Sequence, residues 1–260
     1  MNCLEIEGLT VRFGGLVAVD ELQFSVRANS IHSLIGPNGA GKTTVINTVM
    51  GLYPASHGSI RFQGRDILGA PPYRISQAGI ARTFQNIEVF PDMTALENVL
   101  VGAHGRVDYG SFSAMLRTPR FRADERMIVG RARELLEIVG LIGEAEVPAA
   151  SLPFVKQRLL ELARALAGDP KLILLDEPAA GLRAAEIEEF NQRLVALRDQ
   201  YGLTILLVDH VMQVIMNISD RVTVLNFGRK IAEGTVDAVR ADPEVQRAYL
   251  GGGSDHVGGA

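Results

Sequence analysis

Gly36-Pro37-Asn38-Gly39-Ala40-Gly41-Lys42-Thr43-Thr44 satisfies the pattern G-x-x-x-x-G-K-[ST] at every required position. The chemistry of this spacing is capture of a nucleoside triphosphate. Glycines let backbone N–H groups converge on phosphate oxygens, the Lys42 ammonium adds a point charge there, and the Thr43 hydroxyl suits a Mg²⁺ ion. A second constellation lies in Leu172 to Pro178 (LILLDEP), where Asp176 and Glu177 follow an apolar run. Asp176 would reach the Mg²⁺ through water, and Glu177 would polarise the attacking water. His210 ends the next apolar run and would meet the γ-phosphate, although a lone histidine in that place also serves packing. Gln85, in Arg82-Thr83-Phe84-Gln85, offers an amide that can bind Mg²⁺ or water.

Three strands are needed to bring these groups together. Ser30 to Ile35, Lys171 to Asp176 and Thr204 to Asp209 are continuous apolar runs, the mark of strands covered on both faces of a parallel sheet. Each ends in polar chemistry. Ligands of open parallel sheets sit at the carboxyl ends of strands, so the three ends are expected to converge on one site. Thr43 to Met50 reads as a helix whose positive N-terminus faces the anion.

Around this core, Leu4 to Thr10, Leu22 to Val26 and Gly58 to Phe62 alternate in the strand manner and predict an antiparallel flank. Thr94 to Ala103, Glu125 to Val139 and Leu152 to Ala167 have helical spacing. Residues 105–122 carry glycines and Pro119 and read as a long loop. Ile187, Phe190, Leu194, Leu197 and Tyr201 mark an amphipathic helix on the sheet, and Arg221 to Glu233 a hairpin. The fold class expected is α/β: a P-loop nucleotide hydrolase core with parallel central sheet, antiparallel β flank and helical subdomain. Its expected divisions are a discontinuous ATP-binding core at 1–85 and 165–234, a helical subdomain at 86–164, and a C-terminal helix with flexible tail at 235–260.

Composition narrows the function. The 260 residues include 30 acidic and 26 basic side chains, a net charge of −4, which argues against a general nucleic-acid binder. Cys3 is the only cysteine, so no internal disulfide and no cysteine-built zinc site exists. The N-terminus lacks a signal-peptide layout, and no apolar run approaches the ~20 residues that span a bilayer. Membrane association must then pass through a partner or a surface.

GPNGAGKTT, the glutamine of RTFQN, LILLDEP and the histidine of LLVDH, in that order, resemble the ATP-binding-cassette ATPases over nearly the whole chain. RTFQNIEVFPDMTALENVLVGAH, LLDEPAAGL, SDRVTVLNFGRKIAEGT and RAYLG are similar to the ATP-binding subunits of bacterial branched-chain amino-acid uptake systems. Urea-type importers and lipopolysaccharide exporters are near relatives with similar wording. The resemblance implies that Phe13 stacks on adenine and that Gly36 to Thr44 cradle the phosphates. It implies Mg²⁺ on Thr43 and Gln85 with Asp176 behind them, Glu177 as general base and His210 as the switch histidine. It also implies partners: membrane permease subunits, a second ATP-binding subunit, identical or different, and indirectly a periplasmic substrate-binding protein. The place implied is the cytoplasmic face of the inner membrane.

Two stretches depart from the family pattern. The signature Leu-Ser-Gly-Gly-Gln aligns with Leu152-Pro153-Phe154-Val155-Lys156, where Val155 stands for a glycine that relatives usually keep. A β-branched residue resists φ > 0 and holds backbone away from a phosphate. Arg183 stands where the family commonly has Asp or Asn. Both departures fall on elements that serve a partner's nucleotide, which motivates an asymmetric heterodimer; tolerated drift explains them equally. Arg106, Arg117, Arg120, Arg122, Arg126, Arg131 and Arg133 make the insert basic, either a solvated face or a contact for a permease loop or anionic head groups. A soluble ATP-driven clamp is the alternative of another class, and a GTP switch is disfavoured because no Asn-Lys-x-Asp motif occurs.

Overall fold

The computed structural model describes residues 1–83, 87–103, 119–209 and 212–250. It divides into two compact units, Met1–Ile80 with Lys171–Ala260, and Ala81–Pro170.

Alternation of apolar and polar residues makes the first unit's antiparallel sheet. Strands β1 (Asn2–Phe13), β2 (Leu16–Arg27), β4 (His57–Phe62) and β5 (Arg65–Asp66) are ordered β2-β1-β4-β5. Strands β1 and β2 run well beyond the expected segments and join through a two-residue turn at Gly14-Gly15, with Phe13 paired to Leu16. The second sheet has the order β10-β9-β3-β8-β7-β6. Its central members β3 (Ile31–Ile35), β7 (Leu172–Asp176) and β8 (Thr204–Val208) are buried at all five positions and pair in parallel. That is the expected arrangement, and its cause is the unbroken apolar run in each strand. Strand β6 (Ile80–Arg82), which follows the short helix α2 (Pro72–Ala78), forms one edge, and the antiparallel hairpin β9 (Arg221–Asn226) and β10 (Arg229–Gly234) the other.

Helix α1 (Lys42–Val49) presses Val45, Ile46 and Val49 into a core shared by the two sheets, with Leu4, Ile6, Leu9 and Leu22 from one and Leu34, Leu174 and Leu206 from the other. A smaller core on the other side of the parallel sheet joins Ile35, Ile215, Val222, Val224, Val239 and Val245. It seats α7 (Met212–Ile218), α8 (Val236–Ala241) and α9 (Pro243–Leu250). The single expected C-terminal helix is therefore two. Asp242 parts them in an extended conformation, as the residue before Pro243 must. Helix α6 (Ala184–Tyr201) buries Ile187, Phe190, Leu194 and Leu197 of the stripe expected of it, but Tyr201, in its last turn, is exposed.

The second unit packs α3 (Ala95–Ala103), α4 (Pro119–Ile138) and α5 (Phe154–Leu166). Residues 105–122 do not all belong to a loop, since α4 begins at Pro119. Proline suits a first helical turn because its missing N–H has no intrahelical partner to lose. Thr94 and Glu97 form a reciprocal cap on α3, each side chain accepting from the other's N–H at 3.2 and 2.8 Å. Gly102 of α3 lies so close to α5 that a Cβ would stand 2.1 Å from the Arg164 carbonyl. Fully buried Asn98 holds the turn before α3, accepting from Phe90 N–H at 2.8 Å and donating to the carbonyls of Phe90 and Thr94, each at 3.0 Å.

His32 of β3 is buried and shares a 2.9 Å hydrogen bond with the Thr223 hydroxyl of β9. Burial pushes its pKa from 6.5 down to about 4, although Glu233 pulls the other way. The native state therefore holds His32 neutral while the unfolded chain takes up a proton below about pH 6.5. Stability from this group is complete above that pH and is lost as pH falls toward 4, by an amount on the order of 3 kcal/mol. Chemical denaturation at pH 7 and pH 5 should show this loss, and His32→Gln should lose less between the two.

Candidate functional site

The turn from β3 into α1 is Gly36 to Gly41, and its conformation needs the residues it has. At Gly36, φ is 152° and a Cβ would stand 2.1 Å from the Leu225 carbonyl of β9. At Gly41, the N-cap of α1, φ is 103° and a Cβ would meet the Ala18 carbonyl at 2.6 Å. Gly39 also has positive φ, 79°, yet nothing lies within 4 Å of its missing side chain. Two glycines thus let the loop press on its neighbours, and the third opens it to the cleft.

The loop borders a cleft of about 420 Å³. Its floor is the segment Asn38 to Thr44, with Thr43 exposed at the start of α1. The first turn of a helix has N–H groups without intrahelical partners, so Lys42, Thr43 and Thr44 present donors together with the positive end of the helix dipole. The Ala40 N–H is already committed to the Pro37 carbonyl at 3.1 Å, so Ala40 shapes the loop. The Lys42 side chain is buried, and its ammonium donates to the carbonyls of Gly36 at 2.7 Å and Pro37 at 3.0 Å. Burial lowers its pKa, and the carboxylates of Glu177 and Asp176 oppose that shift.

Glu177 lines the same cleft, just beyond the end of β7, while Asp176 is 3% exposed. Parallel pairing of β7 with β8 and of β8 with β3 makes the phosphate loop and Asp176-Glu177 issue from the same end of one sheet. Glu177 has φ of 50°, uncommon for a residue with a side chain. Its N–H donates to the Val208 carbonyl of β8 at 2.6 Å. The other side of the cleft is apolar. Phe13 stands half-exposed at the end of β1 with its ring edge-on to Tyr53, centroids 5.2 Å apart, and Leu16, Val17 and Phe227 complete the lip. Phe227, 87% exposed, was not legible as a site residue, since a hairpin turn carries no sign of what it faces.

Gln85 and His210 lie outside the described residues. Among those that are described, no group of three or more His, Cys, Asp or Glu side chains could hold a metal ion by itself. An ion here would depend on a hydroxyl, one carboxylate and phosphate oxygens, a donor set that suits Mg²⁺.

Residues 19–180 match the ABC transporter family model, and residues 229–255 match that of the branched-chain amino acid ATP-binding cassette transporter. The chain belongs to the ABC transporter family. LivG of Salmonella typhimurium, a high-affinity branched-chain amino acid transport ATP-binding protein, is 44% identical over 248 residues, 95% of this chain and 97% of the relative. BraF of Pseudomonas aeruginosa, described in the same words, is 42% identical with the same coverage. The ADP conformation of MJ1267, an ATP-binding cassette of an ABC transporter, superposes with a TM-score of 0.84 at 31% identity, covering 96% of this chain and 99% of that one. The fold class and the ATPase activity expected from the motifs are those of an ABC cassette. No helix of the described residues is long and apolar enough to cross a membrane.

The glycine geometry gives a direct test. Gly41→Ala should weaken nucleotide binding by tenfold or more, since a Cβ 2.6 Å from the Ala18 carbonyl forces the loop to shift. Gly143→Ala, where the added Cβ meets nothing within 4 Å, should leave binding unchanged. Titration with a fluorescent ATP analogue reads both.

Proposed function

We propose that this chain is the ATP-hydrolysing subunit of an ABC importer, coupling ATP binding and hydrolysis to uptake of branched-chain or other hydrophobic amino acids through partner permeases. The observation that carries the ATPase chemistry is the buried Lys42 ammonium in its glycine loop, with Glu177 lining the same cleft and Asp176 beside it. The substrate class rests on the likeness to LivG and BraF and on the C-terminal match at 229–255.

On this reading the adenine lies against Phe13 at the apolar lip, and the phosphates lie over the first turn of α1. Lys42 exchanges its carbonyl partners for phosphate oxygens. Thr43, Gln85 and, through water, Asp176 would hold Mg²⁺, which when bound neutralises charge on the β- and γ-phosphates. Glu177 accepts a proton from, or orients, the attacking water. His210 contacts the γ-phosphate. The protein sits on the cytoplasmic face of the membrane, and a second cassette closes the nucleotide between its signature sequence and this loop.

Val155 bears on that second cassette. It lies in the first turn of α5 with helical backbone, so the expected conflict with φ > 0 does not arise there. What remains is a branched side chain at a helix N-terminus capped only by Pro153, with Phe154 exposed beside it. Arg183 is the N-cap of α6, where the Glu186 carboxylate accepts from its N–H at 2.8 Å and from its guanidinium at 2.7 Å. On this reading the Val155 side chain lengthens the approach of the partner's nucleotide to that helix N-terminus, and the site it serves turns over more slowly. In the basic insert, Arg131 pairs with Glu134 and Arg133 with Glu146, which favours a solvated face for those two. Arg106 and Arg117 lie outside the described residues, as do the side chains of Arg120 and Arg122.

Lys42→Ala should abolish ATP binding, whereas Glu177→Gln should retain it and lower turnover by about 10²-fold or more, within the 10²–10⁴ range of general base catalysis. Loss of neither activity would overturn the assignment. Co-reconstitution with the permeases and binding protein should give ATP-dependent leucine uptake in proteoliposomes, abolished by Glu177→Gln. In a mixed dimer, mutating Glu177 and its counterpart in turn should give unequal losses of ATPase; equal losses would remove the asymmetry.

A further inference from the structure

The Glu177 backbone is in the left-handed region at φ 50°, a conformation that strains a residue with a Cβ and persists only where surroundings enforce it. The enforcing contacts come from the end of β8. The Val208 carbonyl receives the Glu177 N–H at 2.6 Å, and the carboxylate of the next residue, Asp209, receives the Ala179 N–H at 3.2 Å. Asp209 is completely buried. A carboxylate is expensive to remove from water and is retained inside a protein where its oxygens are engaged. From the first anchor onward the chain turns twice, through Ala180 N–H to the Glu177 carbonyl at 3.1 Å and Leu182 N–H to the Ala179 carbonyl at 3.1 Å. The Pro178 ring fixes the φ of the intervening residue.

We propose that Asp209 is a positioning residue for Glu177: its buried carboxylate pins Ala179, and so holds the strained turn that directs the Glu177 side chain into the phosphate-loop cleft. The proposal rests on the reading of Glu177 as the base. Two anchors on one strand fix the position of β7's end relative to β8 on either side of Glu177. With the Ala179 anchor removed, one of the restraints that keep Glu177 from relaxing toward an ordinary φ is lost. A relaxed Glu177 displaces its carboxylate, and misplacement of about 1 Å can reduce a rate by about 10²-fold. Nucleotide affinity depends on Lys42 and the loop, whereas the Asp209 carboxylate receives the Ala179 N–H beyond the end of β7, so turnover and binding should separate.

The test uses the full chain with Asp209→Ala, Asp209→Asn and Glu177→Gln, alone and combined, with single-turnover ATP hydrolysis, ATP-analogue affinity and thermal unfolding measured on each. Asparagine keeps an acceptor oxygen for the Ala179 N–H and should hydrolyse ATP within about threefold of the parent. Alanine should lose roughly tenfold or more in turnover, with affinity within about twofold. In the Glu177→Gln background, Asp209→Ala should cost nothing further. The positioning role is overturned if Asp209→Asn loses as much as Asp209→Ala, if affinity falls in step with turnover, or if the two losses multiply in the double variant. Should Asp209→Ala be too unstable to assay, the Asn variant and its combination with Glu177→Gln still decide. If Glu177→Gln itself hydrolyses ATP at the parental rate, the base assignment fails and not the hydrogen-bond role.

Discussion

A lysine ammonium taken out of water must find partners, and Lys42 finds them in the loop it belongs to. The carbonyls of Gly36 and Pro37 receive it, and they are neutral acceptors. Burial disfavours its charge, and Asp176 and Glu177 restore part of what burial removes. A phosphate oxygen offers a full negative charge and a stronger hydrogen bond, so the cleft is poised for an anion before one arrives. The remaining architecture serves to hold that charge in place. Gly36 reaches Lys42 only because the loop runs against the Leu225 carbonyl, and the loop runs there because β3 lies between β8 and β9.

The parts of this arrangement that sequence reveals are those encoded in neighbouring residues. Unbroken apolar runs such as Leu172 to Leu175 identify strands buried on both faces, and the glycine spacing of 36–44 identifies the loop, because each is a local constraint on burial or φ. The antiparallel flank was legible from alternation, though its strands extend to Phe13 and back from Leu16. The parts that escaped join residues far apart. Asn98 clamping Phe90 to Thr94, Asp209 reaching Ala179 and Phe227 at the cleft lip depend on packing that no local pattern encodes. Pro119, among the glycines of 105–122, reads as loop but starts α4. The one helix expected after residue 235 is two, because Pro243 begins a helix and keeps Asp242 before it extended.

Val155 illustrates how a motif argument changes once the backbone is known. A glycine requirement inferred from alignment concerns φ only if the position leaves the helical region, and here it does not. The consequence of valine is then steric: three heavy atoms beyond the backbone near exposed donors of a helix N-terminus. Helix dipole and free N–H groups remain available to an anion, so the change tunes the approach distance rather than removing the attraction.

The C-terminal segment is tied to the same centre. Helices α8 and α9 lie within the stretch matched by the branched-chain cassette model, and they pack on Val222 and Val224 of β9 through Val239 and Val245. Near the end of α9, burial pushes the Tyr249 phenol pKa up, and the Gly36 backbone beside it pulls the other way. Gly36 is thereby engaged by the terminal helix, by the Leu225 carbonyl that its bare Cα permits, and by the Lys42 ammonium on its own carbonyl. One glycine thus stands where the end of the chain, an edge-ward strand and the phosphate-binding lysine meet. A side chain there would disturb all three contacts at once, so the first glycine of the loop is as much a packing requirement of this fold as a phosphate-binding one.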